Sequence, residues 1–278
     1  MQGVFLLGIL FLSVASQLCG GHHKIQILMT VPRTVSTAFE KSMWARGDHK
    51  VFHEPWCATF LNNAGLLSEK PPEELVEAKN YEGVKALFYR YAETKPVFVK
   101  DMFFAVKNEL LQDEALLSDP DVILTILIRD PALSIESFFL KMNEKKVPEH
   151  SEEDTRLVFC YDFLVQLAEK YRALRGVYPI IVEAEELCAN PYSAMESFCQ
   201  QAGISFMPEA LAWEKGFLEE WQHIARWHTD AANSEAFFIP KRTVNGTRFS
   251  AVPEEYVPAL EAVYQEQMPS YAKLKAMR

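Results

Sequence analysis

From Val122 to Ile128 the chain reads VILTILI, a run without the polar face that a strand on a solvated sheet shows at every second residue. Such a strand fits a sheet covered on both faces, which is the condition of parallel sheets with helices above and below. Four other short β-rich runs accompany it: KIQILMT from Lys24, HKVFH from His49, KPVFVK from Lys95 and YPIIVEA from Tyr178. Helix-compatible segments separate them, and strands alternating with helices imply a three-layer α/β fold with a central, mainly parallel sheet flanked by helices. The expected helices are Thr34–Trp44, Tyr81–Ala92, Leu133–Asn143, Glu152–Leu174, Pro191–Ala202 and Glu254–Ala276, with Pro191 at a first-turn position. Ser68–Glu77, SEKPPEELVE, is polar and proline-bearing and reads as a loop or lid. With no internal repeat, residues 24–278 read as a single domain.

Residues 1–20 have a different character. Val4–Val14 is an unbroken apolar run followed by small residues, the pattern of a secretory signal peptide with cleavage after Ser16 or Gly20. It falls short of the about 20 residues that span a bilayer, so no stable membrane anchor is expected. The expected location is the secretory pathway, secreted or in the Golgi lumen, with the cytoplasm as the alternative. The N-glycosylation sequon Asn245-Gly246-Thr247 agrees with secretion. A formal net charge of −10 argues against a nucleic-acid partner, so an anionic ligand needs a local basic pocket. The five cysteines show no CxxC spacing, which disfavours a zinc site or a disulfide scaffold. The oligomeric state is open.

Two segments at strand ends carry chemistry. After IQILMT, Pro32 and Arg33 open a turn, and the amides of Thr34–Thr37 would face outward from a helix start, polarised to receive an anion. Thr34, Ser36 and Thr37 add hydroxyls, and Arg33 adds a permanent charge with bidentate geometry. A capped helix whose hydroxyls satisfy its own backbone fits the stretch equally well. The second segment is LIRDPALSIESFF, in which Arg129 ends a strand and Ser137 follows eight residues later on a helix. Taken alone, a salt bridge for Arg129 and a packing role for Ser137 are the simpler readings.

Together PRTVSTAF and RDPALSIES resemble the sulfotransferase family, which uses 3′-phosphoadenosine 5′-phosphosulfate (PAPS) as sulfuryl donor. The resemblance is strongest to divergent sulfotransferase-like P-loop proteins with PRSVSTAF, HEP, KDM and LIRDP motifs, and it covers most of the chain after residue 24. It implies a P-loop-type fold in which Arg33, Thr34, Val35, Ser36 and Thr37 wrap the 5′-phosphosulfate while Arg129 and Ser137 hold the 3′-phosphate. It also implies Glu54, in VFHEPW, as the base that deprotonates the acceptor, Lys100 as the cation at the transferring group, and Lys215 with Gly216 closing over the adenosine near Trp221. Met102 stands where the cytosolic members carry a catalytic histidine, so the weight falls on Glu54, with Asp101 as substitute. Val35 stands where the family has glycine, which demands either a loop with negative φ there or weakened donor binding. His223 and His228 read as packing or cap residues. No metal is expected, and a GxxxxGK[ST] nucleotide loop is absent, which disfavours a kinase. The implied reaction is sulfuryl transfer from PAPS to a hydroxyl or amine of a small, partly apolar acceptor, with Trp56, Phe60, Phe88, Tyr89, Phe103 and Phe104 expected to border the cleft. The alternative is a catalytically silent binding protein of the same fold.

Overall fold

The computed structural model describes residues 22–67, 69–144, 152–238 and 248–278, without the side chains of 152–154. The expected signal peptide, the sequon and Ser68 lie outside the described residues. Five strands form one sheet: β1 (Ile25–Thr30), β2 (Lys50–His53), β3 (Val97–Met102), β4 (Val122–Ile128) and β5 (Ile180–Glu183). Their order is β2-β3-β1-β4-β5 and every pairing is parallel, so the sheet is wholly rather than mainly parallel. Ile25 pairs with Val97 on one side and Val122 on the other, which puts the carboxyl ends of β1, β3 and β4 level along one edge.

Alternation along β1 divides the core. Ile25, Ile27 and Met29 face one layer with Phe88, Tyr161, Leu164 and Val263, from the helices Tyr81–Ala92, Tyr161–Arg175 and Val257–Lys275. Leu28 faces the other layer, where Phe39 and Met43 of helix Ser36–Arg46 meet Phe98, Leu127 and Phe198. Phe39 stacks on Phe98 at 5.8 Å between centroids and meets Phe198 edge-on at 4.9 Å, so this helix is fixed against the sheet by aromatic contacts.

Tyr81–Ala92 and Pro191–Ala202 form with the expected bounds, each with an Asn side chain capping its first turn. Two other expectations need correction. The segment expected as one helix from Glu152 breaks into Glu152–Val158 and Tyr161–Arg175. The break turns both Phe159 and Tyr161 into the core, where Gln267 Oε1 accepts the Tyr161 amide and the Arg129 carbonyl accepts the Tyr161 hydroxyl. The expected polar loop contains the helix Glu73–Ala78, which buries Leu75 and begins with two acidic residues suited to a helix N-terminus. The tract around Trp221 is a 3₁₀ run, Glu219–Trp227, kinked at Ile224. Among the described residues no helix is long and apolar enough to cross a membrane.

Phe39→Ala should lower stability by about 3–5 kcal/mol, read as a lower urea midpoint at unchanged slope.

Candidate functional site

In an open parallel sheet, ligands settle beyond the carboxyl ends of the strands where the strand order reverses. Here the chain runs from β1 toward β2 and β3 on one side, then crosses to β4 and β5 on the other, so the reversal falls between β1 and β4. Residues 31–35 leave β1 at that crevice. Thr30 donates its hydroxyl to the Leu127 carbonyl at 2.7 Å and meets the Thr34 hydroxyl at 2.6 Å, which ties the loop down to β1 and β4. The Thr34 hydroxyl is therefore turned inward.

Both Arg33 (φ 64°) and Val35 (φ 68°) are left-handed. For a β-branched residue this is a true outlier, worth about 1–3 kcal/mol of strain. The negative φ expected as one way to accommodate Val35 is not taken: the loop keeps the positive φ that glycine would supply. The first backbone bonds of the following helix run from Ala38 and Phe39 N–H to the Val35 carbonyl, so the amides of 34–37 precede the ladder at the positive end of the helix.

Arg33, Arg129 and Ser137 converge on this loop. Arg33 donates to Ser137 Oγ at 3.0 Å, to the Trp227 carbonyl at 3.0 Å and to the Asp230 carboxylate at 2.6 Å. Arg129 donates from Nη1 to the Arg33 carbonyl at 2.7 Å, while its buried Nε has no hydrogen-bond partner in the protein and Glu185 lies 3.8 Å away. An orphaned, buried guanidinium N–H beside a loop of free amides suits an anion such as a phosphate.

Lys100 and Glu54 form a buried ion pair at the ends of β3 and β2. Glu54 has φ 44° and stands immediately before the helix Pro55–Asn63. Asp101 accepts the amides of Trp56, Cys57 and Met102, so it serves as that helix's cap rather than as a free base. Burial, and then the nearby Glu54 charge, push the Asp101 carboxyl up to about 8 against those amide bonds.

Behind the pair runs a chain of contacts that the sequence reading did not foresee. Glu40 Oε2 lies 2.6 Å from His53 Nδ1, His53 Nε2 lies 3.0 Å from His228 Nε2, and His228 Nδ1 lies 3.2 Å from the Thr37 hydroxyl. The other Glu40 oxygen accepts Trp221 Nε1–H at 3.0 Å. Burial holds both imidazoles well below the ordinary histidine value, with the Lys100 charge adding to the effect. Burial also raises Glu40 to about 7, opposed by Lys100 and by the Trp221 bond. His228 is thus partnered on both nitrogens and is more than packing, whereas His223 is buried with its Nε2 unpartnered. The one local hint was position: Glu40 follows Thr37 by three residues on one helix, and His53 precedes Glu54.

Lys215 and Gly216 stand apart from this group. Lys215 is exposed and pairs with Glu235 at 3.3 Å, and the Gly216 amide is bonded to the Ala232 carbonyl. Of the aromatics expected at a cleft, Trp56, Phe88 and Phe103 are core residues and Tyr89 packs beside the core. Phe60 is exposed and meets Phe104 edge-on at 6.4 Å. His53, Glu54 and His228 bring one donor atom each within 4.8 Å of one another. The Lys100 ammonium already lies on the Glu54 oxygen nearest His53, so a divalent cation there would meet a buried positive charge.

The sequence pattern described as "Sulfotransferase domain" matches residues 24–276. Two curated Arabidopsis thaliana proteins, branched-chain-amino-acid aminotransferase-like proteins 2 and 1, are 28% identical over 223 residues and 26% identical over 220 residues. Each alignment covers 77% of this chain but only 36% of the relative, so the chain spans about a third of their length. The solved sulfotransferase domain from the curacin biosynthetic pathway has a similar fold, with a TM-score of 0.50 at 15% identity, covering 90% of this chain and 98% of that one.

Three variants test the site's construction. Val35→Gly should change stability by no more than about 1 kcal/mol in chemical denaturation, because relief of left-handed strain offsets lost packing and added chain entropy. Lys100→Met should lower stability by about 3–5 kcal/mol by leaving Glu54 buried without its cation, and Lys100→Met combined with Glu54→Gln should recover part of that loss.

Proposed function

This chain belongs to the sulfotransferase domain family, and we propose that it transfers a sulfuryl group from PAPS to a hydroxyl or amine acceptor. The observation that carries the reading is the convergence of Arg33, Arg129 and Ser137 on a strained loop of unladdered amides at the β1–β4 crevice. The amides of residues 34–37 and Arg33 would hold the 5′-phosphosulfate, and Arg129 with Ser137 the 3′-phosphate. The Asp230 carboxylate on Arg33 is mostly exposed, so a phosphate oxygen can exchange for it. In the transfer, the acceptor oxygen or nitrogen bonds to sulfur as the bond from sulfur to the phosphate oxygen breaks. The acceptor proton passes to Glu54, and the charge leaving on the phosphate side is met by Lys100, Arg33 and the helix N-terminus. This charge stabilisation calls for no metal ion.

The half-exposed Phe60 and the neighbouring Phe104 suit a small, partly apolar acceptor. The apolar first segment of the chain supports a place in the secretory pathway. A second reading, a silent binding protein, draws on the engagement of Arg33 by Asp230 and of Glu54 by Lys100.

Isothermal titration should show binding of 3′-phosphoadenosine 5′-phosphate, weakened about 10–100-fold in Arg129→Ala by loss of a charged hydrogen bond. No binding at millimolar nucleotide would overturn the reading. With PAPS and a panel of small phenols and amines, sulfate transfer that survives in the wild type and is lost in Glu54→Gln supports the enzyme. Nucleotide binding without transfer in either supports the silent protein.

A further inference from the structure

The chain Glu40, His53, His228, Thr37 joins a fully buried carboxylate to a hydroxyl of the anion loop through two imidazoles, with contacts of 2.6, 3.0 and 3.2 Å. Hydrogen-bond bookkeeping allows it two states. With Glu40 ionised, His53 donates Nδ1–H to Glu40 and must accept at Nε2, so His228 donates Nε2–H and must accept at Nδ1. Thr37 then turns its only hydrogen inward, and toward the loop it offers lone pairs. With Glu40 protonated every bond reverses: Glu40 donates to His53 Nδ1, His53 Nε2–H to His228 Nε2, and His228 Nδ1–H to Thr37. The Thr37 hydrogen is then free to face an anion. Both imidazoles are neutral in both states, in keeping with their burial.

We propose that Glu40, His53 and His228 are positioning residues that set the hydrogen-bond direction of Thr37, so that binding an anionic donor at the loop is coupled to uptake of one proton by Glu40. The coupling rests on the sulfotransferase reading for the identity of the donor. No atom is oxidised or reduced: a solvent proton ends on Glu40, and the three hydrogen bonds reverse. Trp221 Nε1–H can bond the other Glu40 oxygen in both states, because that oxygen accepts whether the acid is ionised or neutral. Proton uptake becomes complete above the Glu40 midpoint of about 7, where the unliganded site is ionised.

Several charged or titratable groups face the relay. Lys100 and Glu54 come from the ends of β3 and β2, His223 from the 219–227 turn, and Arg33 from the loop, with Asp101 behind Glu54 on the other face of β3. Asp101, raised to about 8, titrates in the same window. The informative quantity is therefore the difference between wild type and Glu40→Gln, in which Asp101 and the titration of the ligand's own phosphates cancel. A glutamine is nearly isosteric; its amide donates permanently to His53 Nδ1 and its carbonyl still accepts from Trp221.

The test is isothermal titration of 3′-phosphoadenosine 5′-phosphate at pH 8.5 in buffers of different ionisation enthalpy. Wild type should take up about one proton more than Glu40→Gln. From pH 7.5 to 9 the affinity of the wild type relative to the variant should fall by close to tenfold per pH unit. Thr37→Val, with Glu40 intact, should lose the extra proton as well. In wild type alone, ¹⁵N-histidine spectra at pH 8.5 should show the protonated nitrogen of both His53 and His228 exchanging on nucleotide addition. Equal proton uptake in wild type and Glu40→Gln, or unchanged tautomers, would overturn the relay and leave the functional reading standing. Absence of nucleotide binding by folded wild type would overturn both.

Discussion

The site is governed by an imbalance of buried charge. Glu40, Glu54 and Asp101 are all buried at the carboxyl edge of the sheet, and Lys100 is the buried cation among them. Lys100 pairs directly with Glu54, which leaves the other two carboxyls without a full counter-charge. Carboxylates in that position must hold hydrogen bonds, bind a proton or both. Asp101 receives three amides and rises to about 8; Glu40 receives an indole and an imidazole and rises to about 7. The neighbouring histidines are held neutral by desolvation, with the Lys100 charge adding to it and outweighing the pull of Glu54 on His53.

The second determinant is the loop 212–236, closed on itself by the Ala212–Ala236 bridge and by Trp213 Nε1–H on Ser234 Oγ at 3.1 Å. It lies over the helix Ser36–Arg46, where Lys41 donates to the carbonyls of Glu214 at 3.0 Å and Ala231 at 3.2 Å. From this one loop come Trp221 to Glu40, His228 to His53 and Thr37, and the Trp227 carbonyl and Asp230 to Arg33. The loop 212–236 therefore covers residues 33–37 and supplies partners to Glu40, His53, Thr37 and Arg33 at once.

Strain completes the arrangement. Arg33, Val35 and Glu54 are all non-glycine residues in left-handed conformations, and all three flank the carboxyl edge of the sheet. Such conformations persist only where surrounding contacts over-determine them. At residues 33–35 these contacts are the Thr30–Thr34–Leu127 hydroxyl bonds and the Arg129 bond to the Arg33 carbonyl; at Glu54 they are Lys100 and the Glu54 amide bond to the Lys100 carbonyl.

The sequence by itself determined the sheet and singled out the two strand-end segments, residues 31–37 and 129–137, that meet at the β1–β4 crevice. Burial on both faces forces continuous apolar strands, and all five such runs became strands. The PR-turn and the strand-end Arg129 were legible because the residues that matter are neighbours in the chain. Short helices such as Glu73–Ala78 were not, since a window of six residues carries too little periodicity. Only the tertiary structure decided the relay. His53 and His228 are 175 positions apart, and Glu40 reads as an ordinary surface helix residue until the loop 212–236 closes over it. A hydrogen bond depends on donor and acceptor being placed to within a few tenths of an ångström by packing, and no local pattern of residue types encodes that meeting.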